Sequence, residues 1–400
     1  MREDWKYLPL GDIVEIKRGL TYSKNDEVET SEKIVLRSNN INLDNHQFDF
    51  TELKYLKPSF DITADKYLQK GDLLMCMSNG SKAHLGKVAL YEGDSNRYAF
   101  GGFMAALSHK DSVIGKYLFY AMTTPMYKEY IKALSDGANI NNLKVRDIEA
   151  FTIPVPPLAE QERIVALLDD QFAKIDQLKA NADLQLRAAK DLFQSALKEI
   201  FISGKDWKYC TFADTYPIIM GRTPARADNS LWDKKKVSHN LWVSISDISN
   251  NEGGYIYDTE EYVSDLATPK MRKVPKGSLL MSFKLTIGKM AFAGDDLYTN
   301  EAIIAIPEKR KYNLRFLYYY LSGYEWSTLT DGAEKVKGKT LNKASIGRIL
   351  LPEIPLAEQE RIAARLDEIS EKVKVLQANY DQTITLCNDL KQSLLKSIFA

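Results

Sequence analysis

An eight-residue segment, Pro157-Leu158-Ala159-Glu160-Gln161-Glu162-Arg163-Ile164, recurs unchanged from Pro355 to Ile362. The offset of 198 persists on both sides: Lys198-Glu199-Ile200-Phe201 answers Lys396-Ser397-Ile398-Phe399, and Leu143, Ile148, Phe151 and Pro154 answer Leu341, Ile346, Ile349 and Pro352. Each half also opens alike, with Asp4-Trp5-Lys6-Tyr7 repeated as Asp206-Trp207-Lys208-Tyr209. A period this long excludes a solenoid, whose repeats run to tens of residues, and leaves a duplicated domain pair.

The repeated unit has two parts. A mixed segment (1–155, then 205–352) precedes a helical one (156–204, then 353–400). Pro157 and Pro355 suit a first helical turn, and Glu160, Glu162, Glu358 and Glu360 lie near the positive end of the dipole. The second helix carries Leu366, Ile369, Val373, Leu376, Tyr380, Cys387, Leu390 and Leu394 at steps of three and four, broken only at Thr383, which predicts a heptad seam. The same phase on the first helix falls on Leu168, Gln171, Ile175, Leu178, Ala182, Gln185, Ala189, Leu192 and Ala196, a weaker, alanine-rich seam. About 40 helical residues make a rod of roughly 60 Å. Two such rods are expected to pair with each other and hold the mixed segments apart; the alternative is two surface helices, each packed on its own domain. Strands are expected at Lys33–Arg37, Leu73–Met77, Lys87–Leu90, Leu241–Ile245, Ser278–Ser282 and Ala302–Ile306, and helices at Ile114–Thr123 and Leu314–Ser322. The fold class is therefore α+β: two β-rich mixed domains separated by two long antiparallel coiled-coil helices, with an internal pseudo-two-fold repeat.

Lys and Arg number 54, and so do Asp and Glu. Divided along the repeat, the charge is −1 for 1–155, −2 for 156–204, +5 for 205–352 and −2 for 353–400. Neutrality thus averages mildly acidic rods with a basic second domain, and nucleic acid is not excluded. No apolar run approaches the ~20 residues of a membrane span, and no apolar leader follows Met1. Three widely spaced cysteines, Cys76, Cys210 and Cys387, suit reduced thiols, so a cytoplasmic protein is expected.

Enzyme motifs fail on inspection. Gly332 and Gly338-Lys339-Thr340 are separated by five residues where a phosphate-binding loop needs four. Val155-Pro156-Pro157-Leu158 lacks both the acceptor and the aromatic residue of an amino-methyltransferase loop. His46, His84, His109 and His239 have no metal-ligand spacing. The chain is expected to bind without catalysing and to hold no metal or cofactor. A scaffold whose globular domains bind protein or carbohydrate remains the competing class.

The layout resembles the specificity (HsdS) subunit of type I restriction-modification enzymes over essentially the whole chain. Both Pro-Leu-Ala-Glu-Gln segments fit that family's helix start. In the second half, Gly221-Arg222-Thr223-Pro224 with Trp232 and Trp242, then Lys276-Gly277, Leu279-Leu280, Thr286-Ile287-Gly288-Lys289 and Thr299-Asn300, are similar to its recognition domain. The first half departs: Arg18-Gly19-Leu20-Thr21 has no Thr-Pro pair, and four more residues separate Gly71 from Gly86 than Gly277 from Gly288. The resemblance implies two target-recognition domains, each reading one half of an interrupted, asymmetric site on double-stranded DNA. It also implies two modification subunits, which supply S-adenosylmethionine, and restriction subunits, which supply ATP- and Mg-dependent translocation. Within that reading, Arg222, Thr223, Arg226, Lys284, Thr286, Lys289, Lys335, Lys337 and Lys339 are the expected DNA contacts of the second domain. Arg18, Thr21, Lys24, Asn79, Ser81, Lys82 and Lys87 are their counterparts in the first. Trp232 and Trp242 are expected in the core, and Leu168, Ile175, Leu178, Leu192, Leu366, Ile369, Val373, Leu376, Tyr380, Leu390 and Leu394 along the helix seam or against partners.

Overall fold

The computed structural model describes residues 5–136, 142–203, 207–329 and 341–399. The chain divides into two compact units, one of residues 1–182 and 380–400, the other of residues 183–379. Each is therefore a mixed segment with the first half of the long helix that follows it and the last half of the other long helix.

In the first unit, a four-stranded antiparallel sheet runs Val14–Arg18, Met104–His109, Leu73–Cys76, Val88–Leu90. A second sheet runs Glu27–Val28, Lys54–Leu56, Ile34–Leu36, Tyr98–Phe100, its last pair parallel. Lys6–Pro9 pairs antiparallel with Thr152–Val155, so the start of the domain is tied to the strand that enters the long helix. In the second unit, Lys208–Thr211 and Leu350–Glu353 repeat that tie. Ile303–Ile306, Leu279–Ser282 and Met290–Ala293 repeat the central sheet. The fourth strand differs. The first unit adds Val14–Arg18 beyond Met104–His109, whereas the second adds Tyr255–Ile256 parallel to Met290–Ala293 at the opposite edge. All six expected strands form, shortened by one or two residues at some ends, and the expected helices form as Gly115–Ala121 and Leu314–Ser322.

The long helices span Leu158–Ser203 and Leu356–Phe399. Each is locked to its domain by the glutamine of the repeated segment. Gln161 is 0% exposed: its Oε1 accepts from Ile114 N–H at 2.9 Å, and its Nε2 donates to Ser112 O at 3.0 Å and Pro156 O at 2.8 Å. Gln359, also 0% exposed, does the same with Asn313 N–H (2.9 Å), Lys311 O (3.0 Å) and Ile354 O (2.9 Å). Ile114 and Asn313 precede the domain helices Gly115–Ala121 and Leu314–Ser322. A second clasp lies about two turns further along. Asp169 accepts from Tyr120 Oη at 2.5 Å and pairs with Lys116 at 2.9 Å, while Asp367 accepts from Tyr319 Oη at 2.6 Å and pairs with Arg315 at 2.7 Å.

The cores recruit both helices. In the first unit Ile164 and Leu168 join Leu395, Ile398 and Phe399 against the central sheet. In the second, Leu197 joins Ile362, Ala363 and Leu366. The helices run antiparallel where they meet, with Asp176 to Lys391 (2.7 Å) and Lys179 to Asn388 (2.6 Å) in the first unit and Lys190 to Gln377 (2.7 Å) in the second.

The seam phase departs from the heptad expectation. Leu168, Ile175 and Leu366 are buried, and Ile369, Val373, Leu376, Tyr380 and Leu394 are half-buried, but Leu178 (56%), Leu192 (67%) and Leu390 (49%) are exposed. Leu168 and Ile175 keep the heptad step, but four of the six buried positions of the first helix, Ile164, Ile175, Leu186 and Leu197, recur every eleven residues. An eleven-residue period matches 3.6 residues per turn more closely than a heptad, whose phase drifts by ~20° per repeat. A heptad laid over the whole helix therefore ends on the wrong face.

Candidate nucleic-acid interface

The same loop frame is built in each unit. Gly19 packs so tightly on the 100–104 segment that an added Cβ would sit 2.1 Å from Gly101 O, and Gly221 would meet Thr299 O at 2.1 Å. Leu20 N–H donates to Phe100 O (2.9 Å), and Arg222 N–H to Thr299 O (2.7 Å). Leu143 N–H bonds Met77 O (2.8 Å), and Leu341 N–H bonds Phe283 O (2.9 Å). In both units these contacts gather three loops at one end of the central sheet: one after the close-packed glycine, one after the central strand, and the turn before the third strand.

In the first unit the loops enclose a groove of about 830 Å³ that includes Thr21, Lys24, Arg37, Asn79 and Phe103. Thr21 and Lys24 are exposed, Asn79 is fixed by a bond to Ser38 Oγ (2.9 Å), and Phe103 is 72% exposed. Glu27 also lines the groove but is paired with Lys54 at 2.5 Å. The Arg37 Nε is buried with no hydrogen-bond partner among the described residues, and Glu52 lines the same groove. Ser81 is exposed beyond Asn79 and accepts no role in the groove wall. Lys82 pairs with Asp136 (3.2 Å) and lines a neighbouring cavity together with Lys87, Lys128 and Lys132. Local clustering thus gives this domain a basic patch despite its negative sum. Arg18 sits on the edge strand, half-buried and outside the groove.

In the second unit Thr223 donates to Glu301, whose carboxyl is held below its usual range by that bond and, more weakly, by the charges of Lys284 and Arg226. Arg226 also pairs with Glu261, its guanidinium 4.1 Å from the Trp232 ring centre and 4.9 Å from that of Trp242. Thr223, Arg226 and Lys284 are therefore brought together. Arg222 is exposed near Lys270 O (3.4 Å), and Thr286 is exposed on the glycine loop beside Leu285. Trp242 is buried and Trp232 packs edge-on against it at 5.1 Å, which places both in the domain body as expected.

Lys87 is a correction to the expected surface contacts: it is buried and donates to Ile41 O (2.7 Å), and burial lowers its pKa. Lys289, at the matching position after Gly288, is half-exposed and paired with Glu252. Lys335, Lys337 and Lys339 lie outside the described residues. Sequence reading missed Arg37, Phe103, Lys128 and Lys132; the first ends a predicted strand and the last two sit on a helix, where no local pattern marks them.

Among the described residues, no group of three or more His, Cys, Asp or Glu side chains could hold a metal ion, and no helix is long and apolar enough to cross a membrane. The geometry defines a duplicated, two-domain chain in which the same loop frame is built twice.

The family model described as the type I restriction modification DNA specificity domain matches residues 2–186 and again 204–386. The chain belongs to that family, whose members are the non-catalytic DNA-recognition subunits of type I systems. It is 25% identical to the type I restriction enzyme EcoKI specificity subunit of Escherichia coli K12, over 99% of this chain and 89% of that one. It is also 25% identical to the MjaX specificity subunit assigned in Methanocaldococcus jannaschii, over 95% and 90%. Among solved structures, a chain from work on complex assembly and conformational transition of the type I R-M system shares the fold with a TM-score of 0.79, at 19% identity, covering 98% of this chain and 97% of that one. The HsdS subunit of Thermoanaerobacter tengcongensis gives 0.58 at 18% identity, covering 100% and 97%.

Proposed function

We propose that this chain directs a type I restriction-modification enzyme to an interrupted, asymmetric DNA site, one half read by residues 1–155 and the other by residues 205–352. The observation that carries this reading is a repeated frame presenting different side chains. Thr21, Lys24, Arg37, Asn79 and Phe103 stand in one copy, and Thr223, Arg226, Lys284 and Leu285 in the other. Equal frames set equal approaches to a duplex, while unequal donors and acceptors select unequal base sequences. Arg37 and Asn79 suit purine edges; Lys82, Lys128 and Lys132 suit the flanking phosphates.

The helices at 156–204 and 353–400 set the half-site separation, as a dimer axis does in symmetric repressors. Their exposed leucines, Leu178, Leu192 and Leu390, face two modification subunits rather than the seam. Those subunits supply S-adenosylmethionine and methyl transfer, restriction subunits supply ATP- and Mg-dependent translocation, and the assembly is cytoplasmic. The test is selection from a randomised duplex pool by the chain with its modification subunits. Two fixed base blocks separated by a spacer of constant length are expected. An unenriched pool, as a protein- or carbohydrate-binding scaffold would leave, overturns the reading.

A further inference from the structure

The clasp that fastens each long helix to its domain is filled differently in the two units. In the second unit Arg315 occupies it. Its Nε bonds Asp367 (2.7 Å), its Nη1 donates to Gly253 O (2.8 Å), and its guanidinium lies 5.1 Å from the Phe292 ring centre, 5.4 Å from that of Tyr318 and 5.7 Å from that of Tyr319. Planar guanidinium, aromatic faces and carboxylate are thus combined in one site.

The first unit keeps the walls and loses the occupant. Asp169, Tyr120 and Phe119 stand where Asp367, Tyr319 and Tyr318 stand, but Lys116 replaces Arg315 and Leu90 replaces Phe292 in the matching strand register. His46 takes the place of Gly253: both have positive φ, and His46 Nδ1 bonds Val88 O (3.0 Å) where Gly253 N–H bonds Met290 O (2.9 Å). The shorter Lys116 reaches only Asp169, at 2.9 Å. What remains is a cavity of about 730 Å³ floored by Phe119 and Tyr120 and walled by Phe48, Tyr91 and Tyr98. Its rim carries four carboxylates (Glu92, Asp94, Asp169, Asp176) against three cations (Arg97, Lys116, Lys391); the Arg97 guanidinium lies 5.4 Å from the Tyr98 ring centre, and no cation pairs with Glu92 or Asp94 among the described residues.

We propose that this cavity binds a guanidinium group from outside the chain, supplying in the first unit what Arg315 supplies internally in the second. The ligand is a guanidino compound or an arginine side chain of a partner polypeptide. It stacks between the aromatic walls and hydrogen-bonds the carboxylates that Lys116 leaves uncovered.

The test is a ligand-observed NMR titration of the intact chain with N-acetyl-L-arginine-N-methylamide, the corresponding lysine compound and free L-arginine. The arginine amide is expected to bind about tenfold tighter than the lysine amide, since only a planar cation both stacks and bonds in two directions. Lys116→Arg, which rebuilds the arrangement of the second unit, is expected to abolish that binding while leaving the chain folded. Arg315→Lys with Phe292→Leu transplants the opening and is expected to raise the amount bound at saturation. Tighter binding of free L-arginine than of the capped amide identifies a free guanidino compound; the reverse identifies an arginine within a polypeptide. Equal binding of the arginine and lysine amides, or undiminished binding by Lys116→Arg, overturns the proposal.

Discussion

Replacing Gln161 by alanine removes a fully buried amide that makes three hydrogen bonds, to Ile114 N–H, Ser112 O and Pro156 O. Each neutral bond contributes about 1 kcal/mol net, and a buried N–H left without a partner costs about 1–3 kcal/mol. The Ile114 amide, half-buried, falls at the lower end of that penalty once Gln161 is gone, so the loss comes to about 3 kcal/mol, a large part of a typical domain's stability. The damage is local, because the amide joins the residue before the helix Gly115–Ala121 to the entry of the long helix. Hydrogen exchange read by mass spectrometry separates this from global loosening. Gln161→Ala is expected to speed exchange across residues 112–121 by about a hundredfold or more, at one decade per 1.4 kcal/mol, and to leave residues 311–321 unchanged. Gln359→Ala reverses the pattern. Gln161→Glu keeps an acceptor for Ile114 but aims a carboxylate at two carbonyl oxygens, and is expected to do at least as much harm as alanine. If neither segment responded, or both responded to either change, the glutamines would not be the joints described.

Three further outcomes follow from the same geometry. Arg37→Ala is expected to weaken duplex binding, and if the guanidinium meets a phosphate, to reduce the slope of log affinity against log salt by about 0.9; an unaltered affinity removes Arg37 from the interface. His46 is held below its usual pKa chiefly by burial, with Lys128 and Lys87 adding to the effect and Val88 O and Asp44 opposing it. A depressed folded pKa means the stability is complete above the unfolded value of about 6.5 and is lost as pH falls below it. Urea midpoints of the first unit should therefore drop between pH 7.5 and 5.5, and His46→Asn, which tolerates the positive φ, should flatten that drop. Leu178→Ser with Leu192→Ser, both on exposed positions, should leave the melting temperature unchanged and lower affinity for the modification subunits at least tenfold; equal affinity would show that this face is free.

Much of the architecture is written in local pattern. The repeat, the helix starts at Pro157 and Pro355, and apolar runs such as Leu73–Met77 depend on neighbours in sequence, so they are legible without coordinates. What is illegible depends on distant partners. Gln161 is a polar residue in a charged stretch, and nothing nearby shows that its amide is consumed by the backbone of Ser112 and Ile114. Lys87 follows a glycine loop, as a phosphate contact would, yet its ammonium goes to Ile41 O across the sheet. Leu395, Ile398 and Phe399 lie beyond the last expected seam position, Leu394, yet they complete the core that begins at Leu10. Leu178 and Leu192, like Leu390 on the second helix, hold seam positions by spacing alone and are exposed, because burial there depends on the neighbouring helix.

The central claim is that the two recognition domains are independent readers mounted on a common frame. Replacing residues 205–352 with the matching domain of another specificity subunit, expressing the hybrid with its modification subunits, and sequencing the methylated DNA tests it most directly. One half of the methylated motif should change, with the other half and the spacer length retained. Alteration of both halves by the single exchange would contradict the claim.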